Sequence, residues 1–178
     1  MVKKLLLVVL VSALSAGLLL TGCSAGNASA QSVAGGIAVD NPAPNFGLQD
    51  MDGQSVFLNQ FRGRPVLLNF WTTWCPSCKA EMPLIQSISA DKNLAAQRLA
   101  VLTVDLGEDL NTVASFKKSN NYSFTTLLDT QQIVANLYNV YGIPTTYFID
   151  KNGIIRNVRI GAFASDSQIK TYLSKIIP

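Results

Sequence analysis

Histidine is absent from all 178 residues, and that absence removes several chemistries at once. Catalytic triads and dyads that activate serine or cysteine through an imidazole are excluded, as is any metal site built on histidine. Charge is also scarce. Charged residues make up 14% of the chain against 48% hydrophobic, which argues against disorder and supplies enough apolar material for a packed core. The formal charge is +3, no basic patch stands out, and nothing favours nucleic acid as a partner. Cysteine occurs only three times, at 23, 75 and 78. An odd count leaves at least one thiol outside any internal pair.

Lys3 and Lys4 precede an apolar run from Leu5 to Leu20, broken only by Ser12, Ser15 and Gly17. This is the profile of a secretory signal peptide. It closes on Leu20-Thr21-Gly22-Cys23, which resembles the bacterial lipobox. In that class of signals the leader is cut before the cysteine, which then carries acyl chains. Residues 1–22 are therefore expected to be a lipoprotein signal peptide, with Cys23 the lipidation site and the protein anchored on the extracytoplasmic side of a bacterial membrane. Two alternatives stand beside it: ordinary cleavage at Ala28-Ser29-Ala30, or an uncut leader serving as an anchoring helix. All three place the remainder outside the cytoplasm. Loss of Lys3 and Lys4 would lower the net charge to +1. Residues 23–40, rich in Ser, Ala, Gly, Asn and Gln, read as a flexible tether. Residues 41–178 are long enough for one domain.

Within that domain, two short runs flanking Asp52-Gly53 predict a hairpin, 47–50 with 55–58. A helical turn is expected over 59–64, ending at Gly63. Val66 to Phe70 is an apolar run of buried-strand length, followed by a helix over 76–90. A second buried strand is expected at 99–104, then a helix over 110–120 with Val113 and Phe116 inward. Next come a short strand at 124–128 and a helix over 131–138. Strands at 145–149 and 154–160 flank Asp150-Lys-Asn-Gly153, a second hairpin signal. An amphipathic helix over 165–177 closes the chain, with Ile169, Tyr172, Leu173 and Ile176 on one side. Alternating strands and helices predict an α/β fold around a mainly parallel central sheet to which the last hairpin adds antiparallel strands, giving a central mixed sheet flanked by helices.

The strand at 66–70 delivers Cys75-Pro-Ser-Cys78 to a helix start. A structural zinc site needs four ligands, normally Cys or His, and only Cys23 remains. Haem attachment needs a histidine where the chain has Lys79. A static disulfide closing so short a loop stabilises little. A redox-active pair is the reading that survives. With Cys75 as N-cap and Pro76 at the first helical position, the Cys75 sulfur faces free backbone N–H groups and the positive helix end, which lowers its pKa. Cys75 is thus expected to be the exposed attacking sulfur. Cys78, on the same face, is the shielded sulfur that resolves the mixed disulfide. Glu81 lies three residues further along that face. It reads either as a solvated helix residue or as a carboxylate exchanging a proton with Cys78. Pro83 is expected to kink the helix and free the Lys79 carbonyl. Trp71 reads as a core aromatic and Trp74 as an apolar rim against which a substrate packs. No metal and no cofactor is expected.

Asn69-Phe-Trp71 followed by Trp74-Cys-Pro-Ser-Cys78-Lys79 resembles the active site of the thioredoxin superfamily. Further motifs are similar to its membrane-anchored TlpA/ResA-like thiol:disulfide oxidoreductases, a branch related to the AhpC/TSA redoxins. They are the opening Ala43-Pro-Asn-Phe46 with Asp50 and Asp52-Gly53, Glu81-Met-Pro83, the segment 106–128, and Gly142-Ile-Pro144-Thr145. The resemblance spans about residues 41–178. It implies a thioredoxin-like fold with an N-terminal β-hairpin and a central helix–strand insertion. It also implies a cis bond between Ile143 and Pro144 packed against the dithiol. The Ile143 backbone would then pair with an extended substrate chain, with Thr145 at the rim. Pro76, Ile143, Pro144 and Thr145 join Trp74 as expected substrate-binding residues. The implied activity is reduction of disulfides in exported proteins, apocytochrome c among them, by a monomer fed by a membrane thiol relay. Two features depart from the pattern. Asn69 stands where thioredoxin proper has a buried aspartate, which shifts proton handling to Glu81. Pro76-Ser77 differs from both Gly-Pro and Glu-Pro, and this leaves the redox direction open between reductant and disulfide-introducing oxidant. Thr72, three residues before Cys75, keeps a thiol peroxidase as a further alternative.

Overall fold

A computed structural model describes residues 37–177. Expectations that fall on 1–36, including the leader, Cys23 and most of the tether, lie outside the described residues. Seven strands form one sheet: β1 (Gly47–Asp50), β2 (Ser55–Phe57), β3 (Val66–Trp71), β4 (Ala100–Leu106), β5 (Thr125–Asp129), β6 (Thr145–Ile149) and β7 (Ile155–Ile160), in the order β2-β1-β5-β4-β3-β6-β7. The helices are α1 (Pro76–Ala90), α2 (Lys92–Ala96), α3 (Leu110–Ser119), α4 (Ile133–Leu137) and α5 (Asp166–Leu173).

The sheet is mixed, as expected, but antiparallel pairings outnumber parallel ones. Parallel pairing is confined to β3 with β4 and β4 with β5, while both hairpins and the β1–β5 and β3–β6 contacts are antiparallel. The antiparallel excess has a simple origin. The N-terminal hairpin closes onto β5 within the same sheet, and the chain enters β6 from the opposite end to β3.

β3 is buried along its whole length, as a strand covered on both faces must be. Its alternation sorts the core. Val66, Leu68 and Phe70 face a cluster containing Phe46, Leu58, Tyr138 and Tyr147. Leu67 and Trp71 face a second cluster with Met82, Ile85 and Ile88 of α1, Val113 of α3 and Ile169 and Leu173 of α5. One layer of helices therefore covers the face that carries Asn69.

Helix α1 runs through Pro83 without a break. Asp91 ends it and caps α2, its carboxylate accepting the N–H groups of Asn93 and Leu94. The 59–64 turn is a 3-10 turn over Leu58–Phe61. Asp40, at the end of the expected tether, is already fastened: its N–H donates to Ile155 O at 2.7 Å and its carboxylate pairs with Arg156. Among the described residues no helix is long and apolar enough to cross a membrane.

Candidate active site

Three chain segments meet at one edge of the sheet, and strand register explains why. β3 ends at Trp71 and hands the chain to the dithiol. β6 runs antiparallel to β3 with Thr145 opposite Phe70, so the residues just before Thr145 arrive at the same edge. β4 runs parallel to β3 with Asp105 beside Trp71, so the loop after Leu106 emerges there as well. The carboxyl ends of parallel strands are where open α/β sheets place their sites.

Cys75 is the N-cap of α1, with Pro76 first in the helix. Its sulfur accepts the Cys78 N–H at 3.2 Å and lies 3.3 Å from Ser77 Oγ. Burial works against a thiolate here, but the contacts from Cys78 and Ser77 outweigh it and hold the Cys75 thiol below its ordinary pKa. Cys78 goes the other way. Burial raises its pKa, and Cys75 and the Glu81 charge raise it further against the opposing Thr72 backbone bond. The pair is split into one sulfur that ionises readily and one that keeps its proton.

Cys75 is not exposed as expected. It retains 5% of its surface, against none for Cys78. The cause is the loop before β6: the Ile143 carbonyl lies 3.9 Å from the Cys75 sulfur, and the Ile143–Pro144 bond is cis. Thr145 is also not at the rim. It is 3% exposed, and its hydroxyl turns back to donate to Gly142 O at 2.6 Å. Ile143 is half-buried and Pro144 buried, whereas Pro76 and Ser77 are exposed. Trp74 stands 66% exposed beside the buried pair, while Trp71 lies wholly in the core.

Glu81 is fully buried, so the solvated-helix alternative falls away. One carboxylate oxygen accepts Asn69 Nδ2 at 2.8 Å and the other the Phe163 N–H at 3.0 Å. Asn69 also donates to Thr146 Oγ1 at 2.9 Å, which locks the amide that holds the acid. Burial raises the Glu81 pKa to about 7, against the bonds from Phe163 and Asn69 and the Arg159 charge. A carboxyl titrating there can give or take a proton near neutral pH. Among the described residues no cluster of His, Cys, Asp and Glu could hold a metal ion.

The AhpC/TSA family profile matches residues 39–158. This chain belongs to the AhpC/TSA family. Within it, the chain is 36% identical over 142 residues to the thiol-disulfide oxidoreductase ResA of Geobacillus thermodenitrificans, covering 80% of each protein. It is 35% identical to ResA of Bacillus subtilis, covering 80% of this chain and 78% of that one. Among solved structures, StoA from Bacillus subtilis superposes with a TM-score of 0.63 at 28% identity, over 75% of this chain and 98% of that one. The fold is thioredoxin-like and this family member is a thiol:disulfide oxidoreductase of the ResA type.

Sequence reasoning overlooked two contributors. Ser77 enters the sequence reading only through the Pro76-Ser77 dipeptide, though a hydroxyl two residues from an N-cap cysteine can reach its sulfur. Glu108 was passed over entirely. Its signal was the polar Gly107-Glu108-Asp109 turn directly after a buried strand, where site residues of this architecture gather.

Proposed function

We propose that the protein is a lipid-anchored, extracytoplasmic reductant of disulfides in exported proteins, with Cys75 as nucleophile, Cys78 as resolving thiol and Glu81 as proton acceptor. The observation that carries the chemistry is the divided dithiol: the Cys75 sulfur accepts the Cys78 N–H at the start of α1 and lies beside the Ser77 hydroxyl, while the Cys78 thiol is fully buried. The Cys75 thiolate attacks one sulfur of a substrate disulfide. That S–S bond breaks, and the second substrate sulfur leaves as a thiolate that takes a proton from water. Cys78 then passes its proton towards the Glu81 carboxylate and attacks the Cys75 sulfur. The mixed disulfide breaks, the substrate's remaining sulfur departs reduced, and the enzyme retains a Cys75–Cys78 disulfide. Two electrons move from enzyme to substrate.

Trp74 and Pro76 supply the apolar and exposed side of the docking edge, and the Ile143 backbone beside Pro144 and Thr145 offers hydrogen bonds to an extended chain. The reductive direction, apocytochrome c as a client, the membrane thiol relay as electron source and the monomeric state rest on the ResA-like resemblance. Anchoring through Cys23 rests on the lipobox-like Leu20–Cys23. A disulfide-introducing oxidant is the rival that the Pro76-Ser77 dipeptide keeps in play. Redox-active Cys pairs of this kind span about −270 to −120 mV, so a potential near the lower end supports reduction and one near the upper end supports the oxidant. The paired Cys75 and Cys78 and the cis Ile143–Pro144 loop beside Cys75 weigh against the peroxidase reading.

Trapping tests the proposal. A Cys78→Ser variant expressed in the full chain is expected to accumulate mixed disulfides between Cys75 and exported proteins. Recovery of no disulfide-linked partner would contradict the client-protein reading.

A further inference from the structure

Immediately before the dithiol, the chain leaves the β3 ladder at Trp71 and turns at Thr73-Trp74. Glu108 holds this turn. Its two carboxylate oxygens accept from Thr73, one from the backbone N–H at 2.6 Å and the other from Oγ1 at 2.6 Å. Accepting at both oxygens suits the ionised carboxylate.

Glu108 is itself set by the fold. Gly107 takes a left-handed φ of 82° and turns the chain back after β4, a conformation that favours glycine. The Glu108 N–H then donates to Asp105 Oδ1 at 3.2 Å. Asp105 is fully buried and its Oδ2 has no hydrogen-bond partner. Burial and the adjacent Glu108 raise its pKa to about 8. Asp105 therefore keeps its proton near neutral pH, and the two Glu108 carboxylate oxygens grip Thr73.

The grip reaches both sulfurs. The Thr72 backbone acts to lower the pKa of the Cys78 thiol, and Cys75 lies two residues beyond Thr73. We propose that Glu108, seated by Asp105, is a positioning residue for the dithiol, holding Thr73 so that the Cys75 sulfur is presented to the first N–H groups of α1. It touches neither sulfur and acts through the turn. This inference rests on the reading of Cys75 as the nucleophile.

The test is the pH profile of iodoacetamide alkylation at Cys75, read peptide by peptide by mass spectrometry on the full chain. Thr73→Val removes the hydroxyl donor, keeps the shape and leaves the Glu108 charge in place. It is expected to move the Cys75 profile upward by about half a unit or more, the size that loss of one hydrogen bond produces. Thr73→Ser, which restores the hydroxyl, should return the wild-type profile. Glu108→Gln, which can no longer accept at both atoms, should also move the profile upward. A Thr73→Val profile that superimposes on wild type would overturn the proposal. So would a downward shift in Glu108→Gln, the signature of a bystander negative charge whose removal merely eases ionisation. A wild-type Cys75 profile at or above that of an ordinary thiol would sink the nucleophile reading, and the positioning role with it.

Discussion

Cys75 and Cys78 are separated by two residues and by opposite electrostatics. Helix-end N–H donation and the Ser77 hydroxyl favour the Cys75 thiolate, while Cys78 sits without solvent beside an acid. At pH 7, alkylation should therefore label Cys75 and spare Cys78, which a peptide digest would reveal directly. Ser77→Ala should raise the pH at which Cys75 reacts. Glu81 gives a second residue-level outcome with a definite sign. Its pKa is about 7 in the folded protein against about 4.3 in an unfolded chain. Between those values the folded state holds a proton that the unfolded state has lost, so stability falls as pH rises through that window. Glu81→Gln removes this penalty. Its stability relative to wild type should therefore be higher at pH 8 than at pH 4, on top of a pH-independent cost because the amide can accept from only one of Asn69 and Phe163, as urea unfolding at the two pH values would show. On the proposed role of Glu81 as proton acceptor for Cys78, the same variant should accumulate mixed disulfide. Both cysteines and the candidacy of Glu81 were legible in the sequence. The burial of Glu81 was not, because it depends on Asn69 and Phe163, residues 12 and 82 positions away.

Among the elements, the long, strongly apolar ones were the easiest to read. β3 and α1 emerge close to their expected bounds because a fully buried run and a proline-led helix leave few alternatives. α4 shows what local pattern misses. It was expected over 131–138 but spans Ile133–Leu137. Gln132 takes a left-handed φ of 55° and Asp129 Oδ2 accepts the Ala135 N–H at 2.8 Å, which delays the helix start. α2 went unseen because its five residues are too few for a periodic signal, and Asp91 reads equally well as the tail of α1. The end of α4 also ties the N-terminal segment to the sheet. Tyr138 Oη donates to Pro44 O at 2.7 Å, and its ring meets Phe46, Phe70 and Tyr147 at 5.1–5.9 Å. Tyr138→Phe keeps the rings packed and deletes one buried bond. It should cost about 1 kcal/mol in urea unfolding without changing the rate of disulfide exchange.

For the whole molecule, the sheet topology decides what can meet. Antiparallel entry of β6 brings Ile143–Pro144 onto the sulfur, and parallel β4 brings Glu108 beside Thr73. The first was anticipated because the Gly142–Thr145 motif resembles a known loop. The second could not be anticipated, since it depends on the register between two strands separated by a helix pair. Trp74 projects from this edge with two thirds of its surface free, in the position of an aromatic anchor for a partner chain. Trp74→Ala should raise KM for a disulfide-bonded protein several-fold while leaving thermal stability unchanged, since the side chain contributes little to the core.

The most direct test of the account is insulin-disulfide reduction by the full chain, with a chemical reductant recycling the enzyme, comparing wild type with Cys75→Ser. The account predicts turnover by wild type and loss of turnover to the uncatalysed rate in the variant, because only the Cys75 sulfur can open the substrate disulfide. Full activity in Cys75→Ser would contradict it.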